Sequence, residues 1–155
     1  MMLRATGSLL LILAGAGGGF AAAAHIRENE RRVHSFAQLL VYLADLLDAQ
    51  ALAGPILLER AAHRADFAPF CPAGAQALSR LVPPPCLPKA LRHELYETLC
   101  TAEESPRQTA CAALRRLAAL CEEHAALLAE RSRAAWRLWP RLGGCLGAMT
   151  AILLW

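Results

Sequence analysis

The sequence predicts an all-α protein: a helical bundle flanked by an N-terminal and a C-terminal transmembrane helix. Three observations carry this prediction. Ala and Leu dominate while β-branched and aromatic residues are scarce, which favours helix and disfavours sheet. Residues 5–24 and 142–155 are apolar runs, and all 13 acidic residues and all but one of the 16 basic residues lie between them. Apolar residues in that middle recur at steps of three and four, the period of one helix face.

The first run has the length of a span. Twenty residues at ~1.5 Å rise give roughly 30 Å, the thickness of a bilayer's hydrocarbon core. Leu9 to Leu13 are strongly apolar, whereas Gly15, Gly17, Gly18, Gly19 and Ala21 to Ala24 are small. Small residues let a membrane helix approach a neighbour closely. The same segment also fits a cleaved signal peptide, with Arg4 as basic start, Leu9 to Leu13 as core and Ala21 to Ala24 as cleavage region.

The second run favours retention of both anchors. Counted from Leu138 it has eighteen residues, roughly 27 Å of helix, with Arg141 reaching back to water. Trp136 and Trp139 then sit at one headgroup level and Trp155 at the other, depths that suit a ring apolar at one end and polar at the other. Pro140 starts or kinks this helix. A buried core helix is the alternative. The resulting division is a transmembrane helix at 5–24, a helical domain at 25–137 and a transmembrane helix at 138–155. Arg27, Arg31 and Arg32 follow the first run, and Arg131, Arg133, Arg137 and Arg141 lead up to and into the second. Basic residues stay cytoplasmic, so the expected location is the cell membrane, with the middle cytoplasmic and both termini outside.

Between the runs, residues 26–53 contain neither Gly nor Pro, and the first anchor is expected to continue into this helix without a break. Val33, Phe36, Leu40, Leu43 and Leu47 form a heptad-like stripe for packing along another helix. Gly54-Pro55 ends it. Residues 56–64 read as a second helix, 67–74 as a turn and 75–82 as a weak third helix. Pro83-Pro84-Pro85 is a stiff connector, for which a recognition site for a proline-binding domain is the lesser alternative. Residues 89–102 make a fourth helix, with Leu91, Leu95 and Leu99 on one face. Ser105-Pro106-Arg107-Gln108 has the form of a capped helix start. From there to Trp139 the helical pattern is unbroken, with Ala110, Leu114, Leu117, Cys121, His124 and Leu128 in a second stripe. The two stripes are natural partners in an antiparallel pair that brings the anchors together.

Nothing in the middle has the form of a catalytic or cofactor site. Residues 93–97, His-Glu-Leu-Tyr-Glu, lack the second histidine of a zinc-protease helix. Glu103-Glu104 and Glu122-Glu123 are adjacent in sequence and point apart on a helix. Gly17-Gly18-Gly19 lies in an apolar run and cradles no phosphate. His124, on the second stripe, reads as a hydrogen-bonded core residue. The six cysteines lack metal or redox spacing and read as reduced, mostly core residues. A formal charge of +3 is too small to indicate nucleic acid. The expectation is a protein without enzymatic activity, cofactor, metal or small-molecule substrate.

Gly19-Phe20, then Arg27-Glu28-Asn29-Glu30-Arg31-Arg32 opening a leucine-rich helix, resembles the start of the stage III sporulation protein AB family. The stretch from Arg137 through Pro140, Gly143, Gly144 and Gly147 to Leu154 resembles the family's closing anchor. The resemblance covers roughly residues 3–56 and 105–155, and residues 57–104 do not align. The family has an acid and then a Tyr-Gly-Thr-Pro-Leu-like stretch closing the first helix; here Asp45 or Asp48 stands for the acid, and only Pro55-Ile56 resembles the stretch. The resemblance implies a cytoplasmic domain like that of the inner-membrane platform protein of type II secretion systems. It implies a scaffold role in the channel between mother cell and forespore, on the mother-cell side, with other channel subunits and a cytoplasmic secretion-type ATPase as partners. Gly15, Gly19, Gly143 and Gly147 are the expected membrane-helix packing positions. A generic membrane-tethered adaptor and a secreted helical protein with a cleaved signal are the competing classes.

Overall fold

A computed structural model describes residues 2–50, 54–72 and 74–153; side chains at 2–13, 15, 16, 50, 139, 140, 147, 151 and 153 fall outside the description. Four α-helices follow one another: α1 (Met2–Gln50), α2 (Gly54–Ala62), α3 (Lys89–Glu104) and α4 (Arg107–Leu153), with 3-10 turns at Ala68–Phe70 and Leu78–Arg80 between α2 and α3. Among the described residues there is no strand, and the molecule is all-helical. Helix α1 runs through residues 20–26 unbroken, as a segment without proline should.

Two expected details differ. Only the single 3-10 turn Leu78–Arg80 forms where a third helix was expected over 75–82. Gly74 sits at φ 77, Ala77 is extended, and Pro83 closes the far side, leaving room for one turn. Ser105 does not cap α4: it is the C-cap of α3, and its hydroxyl donates to the Thr101 carbonyl at 2.7 Å. Helix α4 continues through Pro140, whose missing N–H removes the partner of the Trp136 carbonyl.

The chain divides into two compact units: Met1–Glu30 with Leu127–Trp155, and Arg31–Ala126. In the first, the buried residues are small: Gly19 and Ala23 on α1, Ser132 and Ala135 on α4. Phe20 and Trp136 meet edge to face with centroids 5.7 Å apart. In the second, α1 and α4 run antiparallel. The Cys111 thiol donates to the Ala44 carbonyl at 3.5 Å, and His34 pairs with Glu122 at 3.0 Å, so partners descend α4 as they ascend α1 in the opposite sense.

The remaining elements of the second unit cover another side of α1. Phe36 meets Phe70 edge to face at 5.3 Å, and Tyr42 meets Phe67 at 5.6 Å under the Arg64 guanidinium. Leu57, Leu58 and Ala61 of α2 and Leu95, Leu99 and Ala102 of α3 complete the core. The Val82 N–H donates to the Phe70 carbonyl at 3.0 Å, joining the two loop segments, and the Ser79 N–H donates to Glu103 Oε1 at 2.6 Å, tying the second of them to α3. Pro84 is fully buried, so the proline run is a packed connector.

Gly74 offers a simple test of this loop. Nothing stands within 4 Å of where its Cβ would be, so Gly74→Ala costs only the left-handed backbone, about 1–2 kcal/mol, read by chemical denaturation. A variant as stable as the parent removes that backbone constraint.

Candidate functional site

The helix-packing residues divide by depth. Val33, Phe36, Leu40 and Leu43 on α1 and Leu114, Leu117 and Cys121 on α4 are buried, each 1% exposed or less. Leu47 and Leu128 are half-buried. Leu47 lines a cavity of about 380 Å³ with Gly54, Leu57, Leu78 and Ala110. Helix α1 also buries Ala37, Leu39 and Ala44, which a single stripe does not include. Steps of one residue turn ~100° around a helix, so these positions belong to a broader face, part of which Phe70 and Phe67 cover.

Charged groups border the α1–α4 contact. Arg115 reaches Asp45 at 3.2 Å and Asp48 at 3.3 Å, and Arg107 bonds the Asp48 carbonyl and its carboxylate. Asp45 and Asp48 are three apart and share a helix face, so one guanidinium spans both. Hydrogen bonds to Asp45 and then Asp48 raise the Arg115 pKa further above its already high value. Further along, His34 stands between Glu122 and Gln38, the latter at 2.9 Å. All of these side chains are solvent-accessible, so they act on register and orientation more than on stability. The sequence signal was present in the Asp45/Asp48 spacing, but the matching arginines lie 59 to 70 residues away.

In the first unit a groove of about 520 Å³ opens between α1 and α4, lined by Arg27, Glu30, Ser132, Arg133, Trp136 and Arg137. Ser132 is the buried polar side chain of its wall, 4% exposed. The Arg133 Nε donates to the Ala129 carbonyl at 3.4 Å. In the sequence alone these arginines indicate only orientation. The missed signal is the pair of i, i+4 repeats Ser132/Trp136 and Arg133/Arg137, which places a small polar residue, an aromatic and two cations on neighbouring rows.

The expected membrane-packing glycines are unequally placed. Gly19 is buried and Gly143 half-buried; Gly15 and Gly147 lie outside the described side chains. Gly17, Gly18 and Gly144 have nothing within 4 Å of a Cβ position. Among the described residues no helix is long and apolar enough to cross a membrane. Most side chains of the run at 5–24 fall outside that set, so the anchor assignment there remains one of sequence.

Among the described residues no three of His, Cys, Asp and Glu stand close enough to hold a metal ion. All six cysteines are free, with Cys71, Cys111 and Cys121 buried. Burial pushes the Cys71 thiol up, and burial followed by the Glu122 charge pushes Cys121 up to about 12, so both stay protonated. His124 departs from expectation: its Nε2 is buried and has no hydrogen-bond partner among the described residues. His93 pairs with Glu97 on an exposed face at 3.2 Å. No family model, curated protein or solved structure matches this chain.

Proposed function

We propose that this chain is a non-enzymatic helical platform held to the cell membrane at both ends, with residues 25–137 in the cytoplasm. The carrying observation is the segregation of charge: two apolar runs, with nearly every charged residue between them. Support comes from the placing of both runs in one compact unit, Met1–Glu30 with Leu127–Trp155, which suits a membrane hairpin. The open space over Gly17, Gly18 and Gly144 would admit neighbouring membrane helices.

The narrower role rests on the resemblance to the stage III sporulation protein AB family at both ends of the chain. On that basis the protein is a component of the mother cell–forespore channel, on the mother-cell side, like the platform protein of type II secretion systems. Its partners are then the membrane, other channel subunits and a cytoplasmic secretion-type ATPase; it takes no nucleic acid and no small-molecule substrate. An antiparallel α1–α4 pair with charged borders is suited to present a fixed surface to such partners.

The test has two levels. A reporter fused after Trp155 should read as extracytoplasmic, and the mature chain should retain Leu9 to Leu13 by mass. Cleavage near Ala24 would instead indicate a secreted protein. Deletion of the gene should permit engulfment and block later forespore development, and Gly143→Leu should weaken co-purification of membrane partners. Normal spore yield from the deletion strain would leave a membrane-tethered adaptor outside sporulation.

A further inference from the structure

We propose that the groove between α1 and α4 in the unit Met1–Glu30, Leu127–Trp155 binds the phosphate of an anionic membrane lipid, with Arg27, Arg133 and Arg137 as its cationic lining. The proposal rests on the membrane-anchored reading above and adds to it a ligand and a site. Three guanidinium groups and one carboxylate, Glu30, line the groove, an excess of two positive charges. Among the described residues none of the three arginines forms an ion pair; elsewhere Arg107, Arg115 and Arg116 each reach a carboxylate. Cations of one sign gathered around a concavity repel each other, and a bound anion relieves that repulsion. Arginine is suited to the task because its planar fork offers two parallel N–H groups to a phosphate.

The cavity and its depth point to a lipid and not to a soluble anion. A groove of about 520 Å³ falls within the size of small-ligand sites and is far larger than a single phosphate needs. Arg27 lies three residues past the run at 5–24, roughly 5 Å along a helix, and Arg137 adjoins the run at 138–155. Both therefore stand at headgroup level when the runs are in the bilayer. Trp136, 40% exposed at the groove, is the residue type that prefers this level. A lipid phosphate is already held at that depth by its acyl chains, so the site need not capture it from dilute solution.

The experiment uses the full chain, extracted in mild detergent and mixed with equimolar phosphatidylcholine and phosphatidylglycerol, with retained lipid counted by native mass spectrometry. The parent should retain phosphatidylglycerol over phosphatidylcholine. Arg133→Gln and Arg137→Gln should each lower that retention roughly fivefold. Glu30→Gln should raise it, an outcome that misfolding does not produce. Arg131→Gln removes the same charge from an exposed position of α4 outside the groove and should leave retention unchanged. An equal loss with Arg131→Gln would mean diffuse attraction and overturn the site. Displacement of the lipid by inorganic phosphate, with a phosphate adduct in its place, would assign the groove to a soluble anion and overturn the lipid. An integral chain without preference for phosphatidylglycerol sinks this proposal alone, whereas a chain recovered from the soluble fraction sinks the anchored reading as well.

Discussion

Leu40→Ala and Leu117→Ala should each destabilise the folded chain by about 2–4 kcal/mol, as truncation of a buried leucine does. Leu40 is 0% and Leu117 1% exposed, and they sit on the two helices that cross-bond at Ala44–Cys111 and His34–Glu122. That register puts the two leucines at about the same level of the antiparallel pair. Each truncation removes three methyl(ene) carbons and leaves a void that close-packed neighbours only partly fill. Residues at one level share neighbours, so the double variant should lose an amount different from the sum of the singles. Leu127→Ala is the control: at 51% exposure it should change stability by less than ~0.5 kcal/mol. Denaturant titration of the full chain in detergent reads all four. If Leu40→Ala and Leu117→Ala unfold like the parent, those side chains are not packed within this chain.

What was legible in the sequence was local or periodic. The helical class follows from composition and from repeats of three and four, and the starts of α2 and α3 fall at Gly54-Pro55 and just after Pro88, where backbone chemistry leaves little choice. The stripe residues could be named because helix period marks a face whatever the partner. The antiparallel pairing of the two stripes was legible, and the Ala44–Cys111 and His34–Glu122 contacts bear it out, but the individual contacts outside the stripes were not. Phe36 meets Phe70 and Asp48 meets Arg107 through tertiary folding, and no local rule ties positions so far apart. The same reason explains the missing third helix, where a local pattern over 75–82 lost to the constraints of Gly74 and Pro83. Ser105 had two helices to serve, and its hydroxyl went to the one that precedes it. The arginine groove was hidden because charge near an apolar run already had an explanation as orientation, and only the pairing of α1 with α4 brings Arg27 beside Arg133 and Arg137.

Cys121→Asp should be the most damaging single change in the second unit, costing on the order of 4 kcal/mol or more near neutral pH. Cys121 is 0% exposed on the face of α4 that carries Leu114 and Leu117. A carboxylate there would be desolvated beside Glu122. Stability of the variant should recover in part at acid pH, where the introduced carboxyl takes up its proton and only its polarity remains. Cys121→Ser should cost far less, since serine keeps the volume and adds only a hydroxyl in need of a partner. The serine variant also isolates a pH effect with a definite sign. The thiol ionises near 9.0 in the unfolded chain, while burial and the Glu122 charge hold it protonated to about 12 in the fold. Between these values the unfolded state releases the proton first, so stability falls as pH rises. The contribution is whole below pH 9.0 and is lost progressively towards about 12. The parent should therefore lose its advantage over Cys121→Ser as pH climbs through that window, a difference in which titration of other groups cancels. A constant difference across the window, or a Cys121→Asp variant that unfolds like the parent, would mean that Cys121 faces water and that α4 does not bury this stripe.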